Sequence, residues 1–282
     1  MKPLNVYILM KTSHSPVSEP TRSYSNRDQH ASTGFSQVDL LTVVVMLVLL
    51  AFLLTPALAR TRVSDQAFQC RNNLRQLISG WRMFADDNSG SLCDPFYWVQ
   101  GTENYNGNNP DNTNISYLVN GYLGPYVRNP AVYKCPADQS QTLQGSVKMP
   151  RIRTLSMNEA IGPLGYQWID NTYRHYVKSA DMDLPSPGSL WVMNCENPDS
   201  VNDGAFAVVM TPYGGIWQDG PTTLHSGGCS FSFADGHSEL HRWTDARTLG
   251  MNVTYRAPFS YGWYQPNNPD IQWVQDRTSA KK

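Results

Sequence analysis

The stretch LLTVVVMLVLLAFLLTPALA, residues 40–59, contains 20 consecutive residues without a charge. As an α-helix that rises about 1.5 Å per residue, it would be about 30 Å long, which matches the hydrocarbon core of a bilayer. A helix of a soluble protein is rarely apolar on every face over such a length. The stretch therefore predicts a transmembrane helix.

Two alternative interpretations of this stretch remain open. The first is a helix buried in the core of a soluble protein. The second is the apolar region of a cleaved secretory signal, for which residues 56–59 (PALA) provide a cleavage site rich in small residues. Secretory signals usually have a shorter apolar region, and this favours the transmembrane interpretation.

The junction before the apolar stretch carries a second signal. Residues 33–41 read TGFSQVDLL, and Asp39 lies one residue before the apolar run. A lone carboxylate at the edge of a membrane helix is costly and usually functional. This junction resembles the N-terminus of bacterial type IV prepilins and type II secretion pseudopilins. The resemblance implies that a prepilin peptidase cuts after Gly34 and that the new N-terminal residue, Phe35, is methylated.

Asp39 has a predicted role in assembly. The resemblance places it at the fifth mature position, where the usual acid of the family is Glu. Cleavage after Gly34 creates an α-ammonium group on Phe35, and this group can neutralise Asp39 of another subunit when the two helices are in register. The chain departs from the family in its shorter acid and in a leader of 34 residues, which is longer than many in this class.

A helical pattern continues beyond the apolar stretch. Between residues 70 and 85, apolar side chains recur at the spacing of one helix face, with Arg, Asn and Gln between them. Residues 86–90 (DDNSG) supply a stop signal. The positions of this apolar face, which we expect to form core and to bind no ligand, are Cys70, Leu74, Leu77, Ile78, Trp81, Phe84 and Ala85.

The rest of the chain is typical of short strands joined by long loops. Strand candidates are residues 190–195, 205–211, 230–233 and 238–243. Asp235 and Gly236, between the last two candidates, predict a tight type I′ hairpin turn. The expected fold is α+β and pilin-like, with a long N-terminal helix packed on an antiparallel-sheet head with long loops. Its expected parts are a leader (1–34), a transmembrane helix (35–59), an amphipathic continuation of that helix (60–90) and an extracytoplasmic globular head (91–282).

The predicted hairpin carries a second resemblance. His225 is followed by nine residues and then by Asp235 and Gly236. This spacing resembles the H-X9-DG signature of the processing-associated C-terminal region in a large family of pilin-like bacterial proteins. Three further segments agree with this resemblance, namely residues 70–77 (CRNNLRQL), 134–138 (KCPAD) and 197–204 (NPDSVNDG).

The two resemblances imply a structural, non-catalytic subunit or accessory of a type II secretion system or a related filament. The expected partners are the prepilin peptidase, other pilin-like subunits or secretion machinery, and the inner membrane. The chain would cross this membrane once, with its head in the periplasm or outside the cell. A nucleic-acid partner is not expected, because 22 Lys and Arg residues against 23 Asp and Glu give a net charge of -1.

Two other functions remain open. The 15 Tyr and eight Trp residues are compatible with an anchored module that binds glycan or peptide through aromatic loops. A hydrolase is the other alternative, although the chain has no nucleophile-elbow motif. Its site would be assembled from His225, Asp235, His237 and His241 with Ser226 or Cys229.

Metal sites are weakly marked in the sequence. The oxygen-rich loop around residues 196–204 is a candidate calcium site, with an ordinary solvated turn as the alternative; its expected ligands are Glu196, Asp199, Asn202 and Asp203. The five cysteines are too scattered for a disulfide scaffold and include no C-x-x-C zinc or redox motif. One or two disulfides are compatible with an oxidising compartment.

Overall fold

The computed structural model describes residues 36–163, 168–210, 214–256, 258 and 261–282, with side chains for all of these except 53–61. The expected leader, including the Gly34–Phe35 cleavage site, lies outside the described residues. The chain divides into two units, Met1–Ala51 and Phe52–Lys282. The candidate sites discussed below all lie in the second unit, except Asp39.

The helix α1 spans Gln37–Asp87. It begins with a reciprocal cap, in which the Asp39 N–H donates to Ser36 Oγ (3.1 Å) and the Ser36 N–H donates to Asp39 Oδ2 (3.0 Å). The bond from the Ser36 backbone lowers the pKa of the exposed Asp39 carboxyl. At the other end, Gly90 adopts a φ of 79° and its N–H donates to the Ala85 carbonyl at 2.8 Å, which terminates the helix.

The predicted transmembrane helix is wrong. Within the described part of the chain, no helix combines the length and the apolar character needed to cross a bilayer. This finding also overturns the predicted single-pass location in the inner membrane.

The second half of α1 contributes one face to the core of the second unit. Cys70, Leu74, Leu77, Ile78, Trp81 and Ala85 are all buried, and Phe84 packs against the same core while partly buried. The 3.6-residue spacing therefore identified the buried face correctly. The expectation that this face binds no ligand is not confirmed, because Cys70 belongs to a group of side chains that could hold a metal ion.

The remaining elements are short. The helices after α1 are α2 (Ser116–Val119), α3 (Ala246–Leu249) and α4 (Pro269–Thr278). Three short 3-10 helices lie at Pro110–Asn112, Pro130–Tyr133 and Ser179–Asp181. The strands are β1 (Gln141–Gln144), β2 (Val147–Pro150), β3 (Leu155–Asn158), β4 (Trp191–Cys195), β5 (Ala205–Phe206), β6 (Ile216–Trp217), β7 (Gly228–Phe233), β8 (Ser238–Arg242) and β9 (Trp263–Tyr264).

The main sheet is mixed, so the expected antiparallel-sheet head is wrong. Five strands follow the order β5-β3-β4-β7-β8, and β5 pairs with β3 in the parallel sense. The reason is the loop 196–204, which leaves β4 and carries the chain past β3 to its far side. A strand that returns there runs parallel to β3, while β4 on the other side is antiparallel to it.

The centre of this sheet is buried on both faces. Every residue of β3, β4 and β7 is buried, without the alternation expected for a half-exposed sheet. Trp191 makes edge contacts with Phe206 and Phe231 at ring-centroid distances of 5.8 and 5.7 Å. Its Nε1–H donates to Thr278 Oγ1 at 2.9 Å, which attaches α4 to the sheet.

The hairpin β7–β8 occurs where the sequence predicts it, with a different turn. Ser232 pairs with Ser238, and the Phe233 N–H donates to the His237 carbonyl at 3.0 Å. Of the turn residues, Gly236 has a positive φ (98°) and Asp235 does not, whereas a type I′ turn needs two such residues. The loop is therefore a three-residue one that ends in a left-handed glycine.

We predict that Gly236→Ala destabilises the protein by about 1–2 kcal/mol, because an L-residue is strained at this φ. An added Cβ would also lie 2.7 Å from Arg82 Nη1. Urea unfolding monitored by circular dichroism measures the change. The matched control is Gly250→Ala, since Gly250 has a helical φ of -75° and should tolerate Ala. Equal effects at the two positions would contradict the turn assignment.

Candidate metal centre

Four side chains from separate parts of the chain meet in the core. They are Cys70, Cys135, Cys195 and His225, and one ligand atom of each lies within 4.8 Å of those of the others. The three cysteines are fully buried, and His225 is 1% exposed. We call this group the Cys3His cluster.

Each ligand is positioned by a different element. Cys70 lies on the buried face of α1, and Cys195 is the last residue of β4, paired with Leu155 of β3. Cys135 follows the 3-10 helix Pro130–Tyr133, and its neighbour Lys134 ties the loop to α1, since Asn73 Nδ2 donates to the Lys134 carbonyl at 3.1 Å. The cluster therefore joins the helix, a loop and the sheet.

The loop that carries His225 is held on the sheet at Thr222. The Thr222 N–H donates to the Cys195 carbonyl at 3.2 Å, and Trp243 Nε1–H donates to the Thr222 carbonyl at 2.8 Å. These bonds bring His225 to the end of β4. Its Nε2 lies 3.3 Å from Cys135 Sγ, and its Nδ1 has no hydrogen-bond partner among the described residues.

The thiols of the cluster have perturbed pKa values. Burial raises the pKa of Cys135 to about 11 and raises that of Cys195 well above its ordinary value. Hydrogen bonds from the Cys135 and Cys195 thiols lower the pKa of Cys70 well below its ordinary value.

The distances between the ligand atoms are compatible with a metal site. Bonds of about 2.3 Å to sulfur and 2.0–2.1 Å to nitrogen place neighbouring ligand atoms of a tetrahedral site about 3.5–3.8 Å apart. The distance of 3.3 Å between Cys135 Sγ and His225 Nε2 is slightly shorter than this range, and the four ligand atoms all lie within 4.8 Å of one another. The buried Cys3His cluster can therefore hold a metal ion.

The other two cysteines lie outside the cluster, and all five are free thiols rather than disulfides. Cys229 is fully buried beside the cluster, where its Sγ–H donates to the Cys195 carbonyl at 3.0 Å. The Cys93 thiol bonds to the Asp94 carbonyl at 3.7 Å. Cys229 therefore lies beside the cluster but is not one of its four candidate ligands.

No protein-family model, curated protein or solved structure matches this chain. The resemblances to prepilins and to the H-X9-DG proteins thus remain predictions.

The structure separates the two ends of the H-X9-DG motif. His225 belongs to the buried cluster, whereas Asp235 and Gly236 form the exposed turn between β7 and β8. In that turn, Asp235 Oδ1 accepts from the His237 N–H at 3.0 Å and lies 2.6 Å from His237 Nδ1. Arg82 of α1 donates to the Asp235 carbonyl at 2.9 Å. The motif therefore combines a candidate metal ligand with a hairpin turn.

The four expected calcium ligands lie in two different surroundings. Asn202 and Asp203 line a cavity of about 240 Å³ that Glu196 and Asp199 do not line. Glu196 is fully buried and accepts a short hydrogen bond from Ser156. Asp199 accepts bonds through both carboxylate oxygens, from Tyr105 and from the segment 254–255. Calcium binding by this loop remains a prediction.

We predict that Asp199→Asn destabilises the protein by about 2–3 kcal/mol, because an amide cannot accept all four of these hydrogen bonds. Thermal unfolding with and without calcium chloride measures the effect. The loss should be the same in both conditions. A rise in wild-type stability with calcium that the variant lacks would show instead that Asp199 is a calcium ligand.

Proposed function

We propose that the Cys3His cluster binds a structural zinc ion, and that the chain is a non-catalytic, pilin-like assembly subunit whose head this ion stabilises. The observation that carries the first part is the meeting of three buried thiols and one imidazole within 4.8 Å. The proposed assembly role rests on the exposed apolar side chains at the start of α1.

Zinc suits this donor set better than other common ions. Three sulfur atoms and one nitrogen in a tetrahedral arrangement are typical of zinc, whereas calcium and magnesium prefer oxygen ligands. Four protein ligands complete the coordination shell, and catalytic zinc sites keep one position open for water or substrate. The burial of all four ligands supports a structural role in the same way.

A metal ion here would connect segments that are distant in the chain. Its ligands come from α1, the loop after residue 133, the end of β4 and the loop before β7. Such links close long loops, and binding of the ion contributes directly to folding because the unfolded chain has no preformed site. We therefore expect the head to depend on the ion for its stability.

We predict that the full-length protein, purified without added metal, contains about one zinc per chain. Cys135→Ala should lose the ion and unfold at a lower temperature, because three ligands bind zinc much more weakly than four. Elemental analysis by mass spectrometry and thermal unfolding measure the two effects.

The matched control is Cys229→Ala, which removes a buried thiol beside the cluster and leaves all four ligands. This variant should keep its zinc. A wild-type protein without metal, or a Cys135→Ala variant with unchanged zinc content, would contradict the proposal.

The assembly role is supported by the exposed apolar side chains of α1. They occur at nearly every position from residue 38 to 52, and Met46 and Phe52 are each 72% exposed. A helix that is apolar on all sides is unfavourable in water and is normally covered. We propose that the same segment of other copies covers it in a helical bundle.

Asp39 would set the register of this bundle. We propose that prepilin peptidase cleaves after Gly34 and that the new amine of Phe35 pairs with Asp39 of a neighbouring subunit. The Asp39 carboxylate is exposed, and burial in a bundle without a cation would be costly. Related pilin-like subunits or secretion machinery are the proposed partners of the assembly.

We predict that Asp39→Ala abolishes cross-linking between copies in the native host, while Asp39→Glu retains it because the carboxylate is kept. The control is Asp65→Ala, which removes an exposed acid further along α1. Cross-linking followed by immunoblotting gives the yield of multimers, and mass spectrometry gives the N-terminal residue. Intact residues 1–34 in the host, or multimers of Asp39→Ala at the wild-type level, would contradict this role.

A further inference from the structure

A cavity of about 240 Å³ next to β5 combines acidic and aromatic side chains. Three carboxylates line it, from Glu159, Asp203 and Asp219, and three aromatic rings, from Phe96, Trp168 and Tyr261. No Lys, Arg or His side chain is among the described residues that line it. We call it the acid pocket.

The edge of the main sheet positions the three acids. Glu159 directly follows β3, Asp203 lies two residues before β5, and Asp219 follows β6. The Ala205 N–H donates to Asp203 Oδ1 at 2.9 Å, and the Ala207 N–H donates to Asp219 Oδ2 at 2.7 Å. Asp203 and Asp219 are thus fixed by the backbone of β5 and its continuation.

Glu159 differs from these two acids because part of its carboxylate has no partner. It is 3% exposed, and its Oε2 makes no hydrogen bond with any described residue. The Asn202 Oδ1 on the same pocket is also buried and without a donor. A buried acceptor without a hydrogen bond lowers the stability of the folded protein. A ligand with N–H donors would supply the missing hydrogen bonds.

The electrostatics of the pocket favour a positive ligand. Burial first, and then the charges of Asp219 and Asp203, raise the pKa of Glu159 to about 8. Burial raises the pKa of Asp219 to about 7 and also raises that of Asp203. The charge of Arg153 acts in the opposite direction on Asp203 alone. A cation in the pocket would stabilise the ionised form of Glu159, which the charges of Asp219 and Asp203 disfavour.

The distances between ligand atoms and the aromatic rings of the acid pocket indicate which kind of cation it suits. Among the described residues, the Cys3His cluster is the one group in which three or more Cys, His, Asp or Glu ligand atoms lie within 4.8 Å of one another. The acid pocket is therefore not preformed around a single metal ion. Aromatic rings beside carboxylates suit an organic cation, whose charge interacts with the ring faces and whose alkyl part packs against them.

We propose that the acid pocket binds a primary aliphatic ammonium group, which donates hydrogen bonds to Glu159 Oε2 and Asn202 Oδ1. A primary ammonium has the three donors that these acceptors lack, and a quaternary ammonium has none. The volume lies below the range of about 300–1,000 Å³ found for drug-sized ligands, so it suits one small amine or the end of a single side chain.

Titration calorimetry of the full-length protein with n-butylammonium chloride tests this proposal. Butanol provides the neutral probe of the same shape, tetramethylammonium the cation without donors, and calcium chloride the metal alone. We expect saturable butylammonium binding that is at least tenfold stronger than the binding of each other probe. At a pH about one unit above the Glu159 pKa of about 8, where butylammonium is still charged, Glu159→Gln should weaken it at least tenfold, because the amide cannot carry the negative charge of the ionised carboxylate.

The matched control is Glu239→Gln, the same substitution on β8 at the opposite edge of the sheet, which should bind like the wild type. Asp203→Asn is a second pocket variant, for use if Glu159→Gln loses the wild-type circular dichroism spectrum. The absence of saturable butylammonium binding, equal binding by the folded pocket variants, or binding of calcium alone would each overturn the proposal.

Discussion

The meeting of Cys70, Cys135, Cys195 and His225 is the constraint on which the rest of the head depends. Their ligand atoms lie within 4.8 Å of one another only if α1, the loop after residue 133, β4 and the loop before β7 are all in place. The metal ion that we propose at the centre of the cluster would account for this convergence of four distant segments.

The sheet and the cluster support each other. Cys195 ends the β4 strand, whose residues are all buried between β3 and β7, so its thiol is held by two neighbouring strands. Beyond Cys195, the loop 196–204 carries the chain across to β5, and the acid pocket lies along that edge. The same change of direction that makes the sheet mixed therefore places a soft, sulfur-rich centre and an oxygen-rich pocket in different parts of one unit.

Sequence patterns predicted the local features well. The spacing of apolar residues identified the buried face of α1, and residues 230–233 and 238–243 identified the hairpin to within two residues. Patterns with a short period could not show which distant segments meet. The helical spacing therefore assigns Cys70 only to the core, and the five cysteines show no shared spacing in the sequence. A usable signal existed, since Cys70, Cys135 and His225 each fall in a segment shared with the H-X9-DG resemblance.

The most direct test of the central claim is the zinc K-edge X-ray absorption spectrum of the purified full-length protein. The proposed site predicts a first shell of about three sulfur atoms at 2.3 Å and one nitrogen at 2.0–2.1 Å. Replacement of His225 by Cys keeps four ligands and should replace the nitrogen contribution by a fourth sulfur at about 2.3 Å. A shell made only of oxygen and nitrogen, or a sample without zinc, would contradict the account.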